Sequence, residues 1–262
     1  IPKQYWGLML DSLRFKKNRI IGSYKNIYKI IANSNYTKDL MHASLKIDEE
    51  KIKIIHPGID IYKDFISLED EQNVKSILKG RDPIITTLAR VEKRKGHKFI
   101  INAVSDLVSE FPRLIYLIAG MGPYLDEVKK YVDELSLNNH VIFLGWITEP
   151  EKSLILKNSD VFAMTPTTVG ESVEGFGMAF IDAAFHGIPS VGSKSGGISD
   201  AIIENETGLL TEVGNQTDIT NKLKALLQNF ELRNRLGKRG KEIAENEYSW
   251  DKKVIEYLDA AN

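Results

Sequence analysis

The 262 residues suffice for one large or two small domains, each able to bury a core. A hydrophobic fraction of 42%, a charged fraction of 27% and a formal net charge of −1 describe an ordinary globular protein and argue against charge-driven binding of nucleic acid. The absence of cysteine excludes disulfides, thiolate nucleophiles and thiolate metal sites, and suits a reducing cytoplasm.

The chain opens on Ile1-Pro2-Lys3-Gln4-Tyr5-Trp6, which has neither an initiator methionine nor the shape of a signal peptide. No apolar run approaches the roughly 20 residues that cross a bilayer. Residues 1–60 read as a fragment of an α/β unit: a helix-like stretch, the strand-like Ile30-Ile31-Ala32, a second helix, and a strand from Ile52 to Ile55 ending at Pro57-Gly58. Residues 61–82 are more polar, carry no strong strand and read as a connection between domains. From residue 83 the pattern changes to short β-rich runs, Ile84–Ala89, Leu114–Ala119, Val141–Leu144, Asp160–Met164, Ile188–Val191 and Gly208–Leu210. Most are continuously apolar, as strands buried on both faces are. Amphipathic runs such as Lys98–Glu110, Tyr124–Leu135 and Met178–His186 lie between them, so residues 83–246 predict a doubly wound parallel sheet. Residues 247–262 predict a final helix whose stripe of Trp250, Val254, Tyr257 and Leu258 needs a surface to cover.

Three segments carry charge or glycine where such a sheet binds ligands. Arg90 follows the first large-domain strand and Lys95 lies five positions on; beyond a strand's carboxyl end, two such cations can clamp a diphosphate. Taken alone, the run is more often a solvated basic turn before a helix. Glu174-Gly175-Phe176-Gly177 leads into an apolar helical run containing Asp182, and a helix starting near Gly177 would aim free N–H groups at an anion. Eight positions apart, the two carboxylates would lie roughly 10 Å from each other on a helical rise, enough to bracket a nucleotide sugar. Lone carboxylates at this spacing are more often a loop acid and a helix-surface acid. Gly120-Met121-Gly122-Pro123 lacks the third glycine of a dinucleotide fingerprint and reads equally as a tight turn; Gly196-Gly197 reads equally as a ligand loop or a helix entry. The five histidines lack metal-ligand spacing and predict surface or capping roles, and no metal.

The order of motifs along nearly the whole chain resembles the retaining GT-B glycosyltransferases of group 1, or family 4. Ile31-Ala32-Asn33-Ser34 with Tyr36-Thr37 is similar to that family's ANS-x-(Y/F)-T segment, and His56-Pro57-Gly58-Ile59-Asp60 to its NG(V/I)D turn. The Arg90 to Lys95 spacing, Ala119 to Pro123, Val141 to Gly145, Glu174 to Gly177, Gly187-Ile188-Pro189-Ser190-Val191 and Gly196-Gly197 follow in the family's order. Tyr248-Ser249-Trp250 resembles the start of its closing helix.

The resemblance implies two facing Rossmann-like domains, here divided as residues 1–60, the remnant of an acceptor-side domain; 61–82, the linker; 83–246, the nucleotide-sugar domain; and 247–262, a helix crossing back. It implies that the chain begins partway through the enzyme and that acceptor-site residues precede residue 1. Arg90 and Lys95 would hold the donor diphosphate, Glu174 the transferred sugar, with backbone at Gly175, Phe176 and Gly177, and Asp182 the ribose. The family's usual pattern is E-x7-E, so Asp182 is one methylene short. Backbone near Trp146 and Ile147 would meet the base. A UDP-, GDP- or ADP-sugar would be the donor, a glycan, lipid-linked carrier or other molecule the acceptor, with no metal or other cofactor. The resemblance implies a cytoplasmic location; Arg14 to Arg19, with Lys25 and Lys29, reads either as contact with anionic lipid at the inner face of the membrane or as a solvated helix face. A non-catalytic partner module and a sugar-nucleotide epimerase of similar shape remain as other readings.

Overall fold

The computed structural model describes residues 28–60, 66–170 and 172–261. Two parallel sheets organise them. The smaller pairs β1 (Ile30–Ala32) with β2 (Ile52–Ile54), in register Ile31 to Lys53. Between these strands runs α1 (Asn35–Leu45), N-capped by Ser34, whose hydroxyl accepts from the Thr37 N–H.

The larger sheet contains β3 (Ile84–Leu88), β4 (Ile115–Ala119), β5 (Val141–Gly145), β6 (Val161–Met164), β7 (Ser190–Ser193) and β8 (Gly208–Thr211), in spatial order β5-β4-β3-β6-β7-β8, each pair parallel. That is the doubly wound order, with its reversal between β3 and β6. Alternation along the strands divides the core. Ile85, Tyr116, Ile118, Val161 and Ala163 face one apolar layer, whereas Ile84, Ile115 and Leu117, and separately Phe162 and Met164, belong to clusters with other residues. The first layer is covered by α3 (His97–Leu107) and α8 (Gln216–Gln228), which contribute Ile100, Val104, Ile219 and Leu223. The second layer is covered by α6 (Met178–Phe185), α7 (Ile198–Ala201) and α9 (Phe230–Glu247). Next to Ile84 and Leu117 lie α2 (Leu68–Leu78) and α5 (Glu149–Lys157), and α4 (Leu125–Glu134) packs Val128 and Val132 into the first layer.

Several elements differ from the sequence reading. The polar stretch 61–82 contains α2, closed by a Ser67–Asp70 capping box and burying Val74 alone, so its apolar signal is weak. The strand expected at Ile188–Val191 begins two residues later at Ser190, after Pro189, which lacks an N–H to donate. Histidines expected at the surface or at caps divide: His42 and His186 bond carbonyls four or five positions away and His140 bonds the Leu114 carbonyl, whereas His97 is only 1% exposed and His56 clusters with the Phe176 and Tyr248 rings. The hydrogen-bonded interior, described below, accounts for His97.

The final helix, α10 (Trp250–Ala261), meets the small sheet's side of the molecule: Ile59 N–H donates to the Tyr248 carbonyl at 2.7 Å, and Trp250 covers Gly58. Among the described residues its stripe stays partly open, with Val254 at 49% and Leu258 at 60% exposure. Arg14 to Arg19 and Lys25 lie outside the described residues; Lys29 donates to the Glu50 carbonyl at 2.7 Å. Among the described residues no helix is long and apolar enough to cross a membrane.

Candidate functional site

Chain segments leaving β3 and β6 meet at the sheet's reversal. After β3 come Arg90, a single 3-10 turn at Lys93–Lys95, and Gly96, from which α3 starts. Gly96 has φ +79°, and a Cβ there would stand 2.2 Å from the Thr165 carbonyl oxygen at the end of β6. Only glycine lets the two segments approach so closely in that conformation. The Thr167 N–H donates to the Arg94 carbonyl at 2.7 Å, which closes the seam.

Glu174 lies in the loop between β6 and α6, with its side chain 14% exposed. On its Oε2 converge Lys95 Nζ at 2.5 Å and Arg94 Nη1 at 3.0 Å. Of the two cations expected to act together, Lys95 is therefore nearly buried in an ion pair, while Arg90 is 68% exposed at its side chain and meets Glu92 at 3.1 Å. Arg94 was not singled out by sequence, because one basic residue in Lys93-Arg94-Lys95 looks like the next; only the turn decides which of them points inward.

The Glu174 loop is gripped at its backbone carbonyls. Gly197 N–H donates to the Glu174 carbonyl at 2.9 Å, and the Ser34 hydroxyl donates to the Gly175 carbonyl at 2.6 Å. A Cβ on Gly197 would stand 2.1 Å from that same Gly175 oxygen, so the Gly196-Gly197 pair is a close-packing device under the loop. Phe176 is buried and stacks on His56 with ring centroids 5.0 Å apart; His56 in turn meets Asp200 Oδ2 at 3.1 Å. Asp200 also accepts from the Asn35 backbone N–H at 2.7 Å, at the start of α1. Residues of the small-sheet unit thus support the acidic loop directly.

Gly177 is the N-cap of α6, and Asp182 sits on that helix. Asp182 is not brought to the cation cluster. Its carboxylate meets Lys152 Nζ at 3.4 Å, beside Glu149 at 2.6 Å from the same ammonium. Burial pushes the Asp182 pKa up, more than the Lys152 charge pulls it down. Burial also works against the Lys152 charge, but Asp182 and Glu149 together outweigh it and raise that pKa. Lys152 stands between two hollows: one of about 310 Å³ shared with Asp182, Ser153 and His186, and one of about 400 Å³ bounded by Leu88, Ala89, Gly120, Met121, Trp146 and Ile147. The second is largely apolar, lies beyond the ends of β3, β4 and β5, and carries Trp146 at its rim, 85% exposed. Lys152 gave no sequence signal beyond a helix-surface lysine.

Beneath the cations lies a buried polar group. His97 Nδ1 and the Tyr116 hydroxyl are 3.1 Å apart, and the same hydroxyl is 2.8 Å from Thr87 Oγ1, which donates to the Ala163 carbonyl. Burial, with the Lys95 charge next, lowers the His97 pKa to about 4 against an opposing Arg90 carbonyl.

A doubly wound sheet with charged and apolar surfaces converging at its reversal defines a Rossmann-like domain of the kind that holds ligands beyond its strand ends. The chain belongs to the family described as "Glycosyl transferases group 1", whose sequence profile matches residues 69–243. It is 30% identical over 173 residues to a GDP-mannose-dependent alpha-(1-6)-phosphatidylinositol monomannoside mannosyltransferase of Mycolicibacterium smegmatis, a match covering 65% of this chain and 45% of the relative. In fold it is similar to Anabaena Alr3699/HepE, solved in complex with UDP and glucose, at a TM-score of 0.77 and 22% identity over 89% of this chain and 62% of that one. It is also similar to the C-terminal domain of a group 1 family protein, LpcC, from Francisella tularensis, at a TM-score of 0.61 and 21% identity over 74% of this chain and all of that one. The chain spans about half the length of the curated relatives it matches. The α/β fold of GT-B transferases, expected from the motifs, is thus the fold of this protein.

Proposed function

We propose that the chain binds a nucleotide-sugar donor and serves its transfer, with retention of configuration, to a glycan, lipid-linked or other acceptor. The observation that carries this reading is the meeting of Lys95 and Arg94 on Glu174 at the sheet's reversal, beside an apolar hollow open to a base. In this reading the base enters the hollow at Trp146 and Ile147, and the diphosphate runs towards Arg90 and Lys95. Glu174 takes hydroxyls of the sugar, with backbone at Gly175, Phe176 and Gly177 around it. Asp182, one methylene shorter than the family's glutamate and paired with Lys152, takes the ribose once that lysine turns aside.

The cations act by preorganised charge. As the glycosidic bond to the diphosphate breaks, negative charge grows on the departing oxygen, and Arg90 and Lys95 favour that state over the ground state. Glu174 orients the sugar while the acceptor hydroxyl attacks from the leaving-group face and gives its proton to the departing diphosphate oxygen. The relative named for a phosphatidylinositol mannoside makes a lipid-linked acceptor, met at the cytoplasmic face of a membrane, the form of this reading to try first.

Calorimetric titration of the 262-residue chain with UDP, GDP and ADP and their sugar conjugates tests it. One nucleotide series is expected to bind, with Lys95→Ala weakening nucleotide and conjugate alike by about a hundredfold, the worth of a charge-assisted contact of ~3 kcal/mol. Glu174→Ala is expected to weaken the conjugate selectively. If no series binds, or Lys95→Ala binds as the parent does, the reading fails.

A further inference from the structure

The segment from Arg90 to Lys95 forms, with Glu174, a chain of alternating charge in which Glu92 and Arg94 have no part in the donor roles above. Arg90 Nη1 meets Glu92 Oε1 at 3.1 Å, and Glu92 Oε2 takes Arg94 Nε at 3.0 Å. Arg94 Nη1 continues to Glu174 Oε2 at 3.0 Å, where Lys95 Nζ closes the chain. Arg94 therefore spans two carboxylates with one planar fork, which an ammonium cannot do with the same geometry.

Glu174 needs a counterion that stays. Its side chain is 14% exposed, and a carboxylate so enclosed is destabilised sharply if its only cation leaves. Lys95 is the cation that a diphosphate would draw away. Arg94 is not free to follow: its side chain is 18% exposed, its Nε is tied to Glu92, and its carbonyl is tied to Thr167. We propose that Arg94, oriented by Glu92, is a positioning residue that holds Glu174 against the donor sugar while Lys95 turns to the diphosphate. The proposal rests on the donor-site reading above and adds a division of labour between two adjacent cations.

The test compares sugar conjugate with free nucleotide, using UDP-glucose against UDP, GDP-mannose against GDP and ADP-glucose against ADP on the whole chain by calorimetry. For Arg94→Gln the conjugate that the parent binds is expected to weaken roughly tenfold, the low end of a charge-assisted contact because Arg94 acts through Glu174, while the matching free diphosphate keeps its affinity. Arg94→Lys restores part of the loss, and Glu92→Gln gives a smaller loss in the same direction. A merely structural role would lower both affinities together, and that result, or an Arg94→Gln variant that binds both ligands as the parent does, overturns the proposal while leaving the donor reading intact. Thermal melting identifies a variant that fails to fold; should Arg94→Gln be one, the same ratio is read on Arg94→Lys. If the parent binds none of the three pairs, the donor reading falls and takes this proposal with it.

Discussion

Glu174 and Asp182 stand eight positions apart and are held in opposite ways. Glu174 is a loop residue with two cations on one oxygen and its backbone gripped by Gly197 N–H on one carbonyl and Ser34 on the next. Asp182 is a helix residue whose single lysine, at 3.4 Å, does not offset the burial that raises its pKa. A loop at a sheet's reversal can collect partners from three distant stretches of chain, whereas a helix position inherits whichever side chains pack on its face. The difference makes Glu174 the centre of the charged cluster and Asp182 its periphery.

The comparison can be broken at three places. The largest effect is expected from His97, below the Glu174 side. Its pKa falls from 6.5 in the unfolded chain to about 4 in the folded one. Between those values the unfolded chain binds more protons, so stability is lost as pH falls from 6.5 towards 4, by about 3 kcal/mol in all. Urea denaturation across that range should show the loss in the parent, and His97→Gln should remove most of it; an unchanged slope would mean that another group carries it.

A smaller effect is expected at the support of the acidic loop. Ser34→Ala removes both the cap of α1 and the bond to the Gly175 carbonyl, at about 1 kcal/mol, because Thr37 Oγ1 remains 3.4 Å from that oxygen. Equilibrium unfolding reads the loss directly, and no change would show that the loop does not depend on the small-sheet unit.

The smallest effect belongs to Asp182. A carboxyl whose folded pKa lies above its unfolded value costs stability at neutral pH, a cost that disappears as pH falls through the folded pKa. Asp182→Asn should therefore stabilise the chain at pH 7 by less than about 1 kcal/mol, Lys152 keeping Glu149 as its partner, and the gain should vanish in acid. A variant less stable than the parent at pH 7 would show that the Lys152 pair outweighs burial, reversing the contrast with Glu174.

Much of the fold is legible in the chain because its strands are unbroken apolar runs that only a two-faced sheet can bury, as in Ile115–Ala119, where every residue is buried. The helix at Leu68–Leu78 is not, since it buries Val74 alone and its capping box is a local signal easily read as a turn. In the site, Lys95 and Glu174 stand out by motif. Arg94, Glu92 and Lys152 do not, because a charged residue on a turn or helix surface has no periodicity to mark its partner.

By itself the sequence determined the alternation of strands and helices, the glycines where segments must touch, and the residue types available for an anion. Only the tertiary structure decided that Arg94 and Lys95 share one carboxylate oxygen, that Asp182 turns to Lys152 instead, and that Ser34 reaches across 141 positions to the acidic loop. The reason is physical: hydrophobic periodicity is a local pattern written along the chain, whereas an ion pair depends on a few ångströms between segments that folding alone brings together.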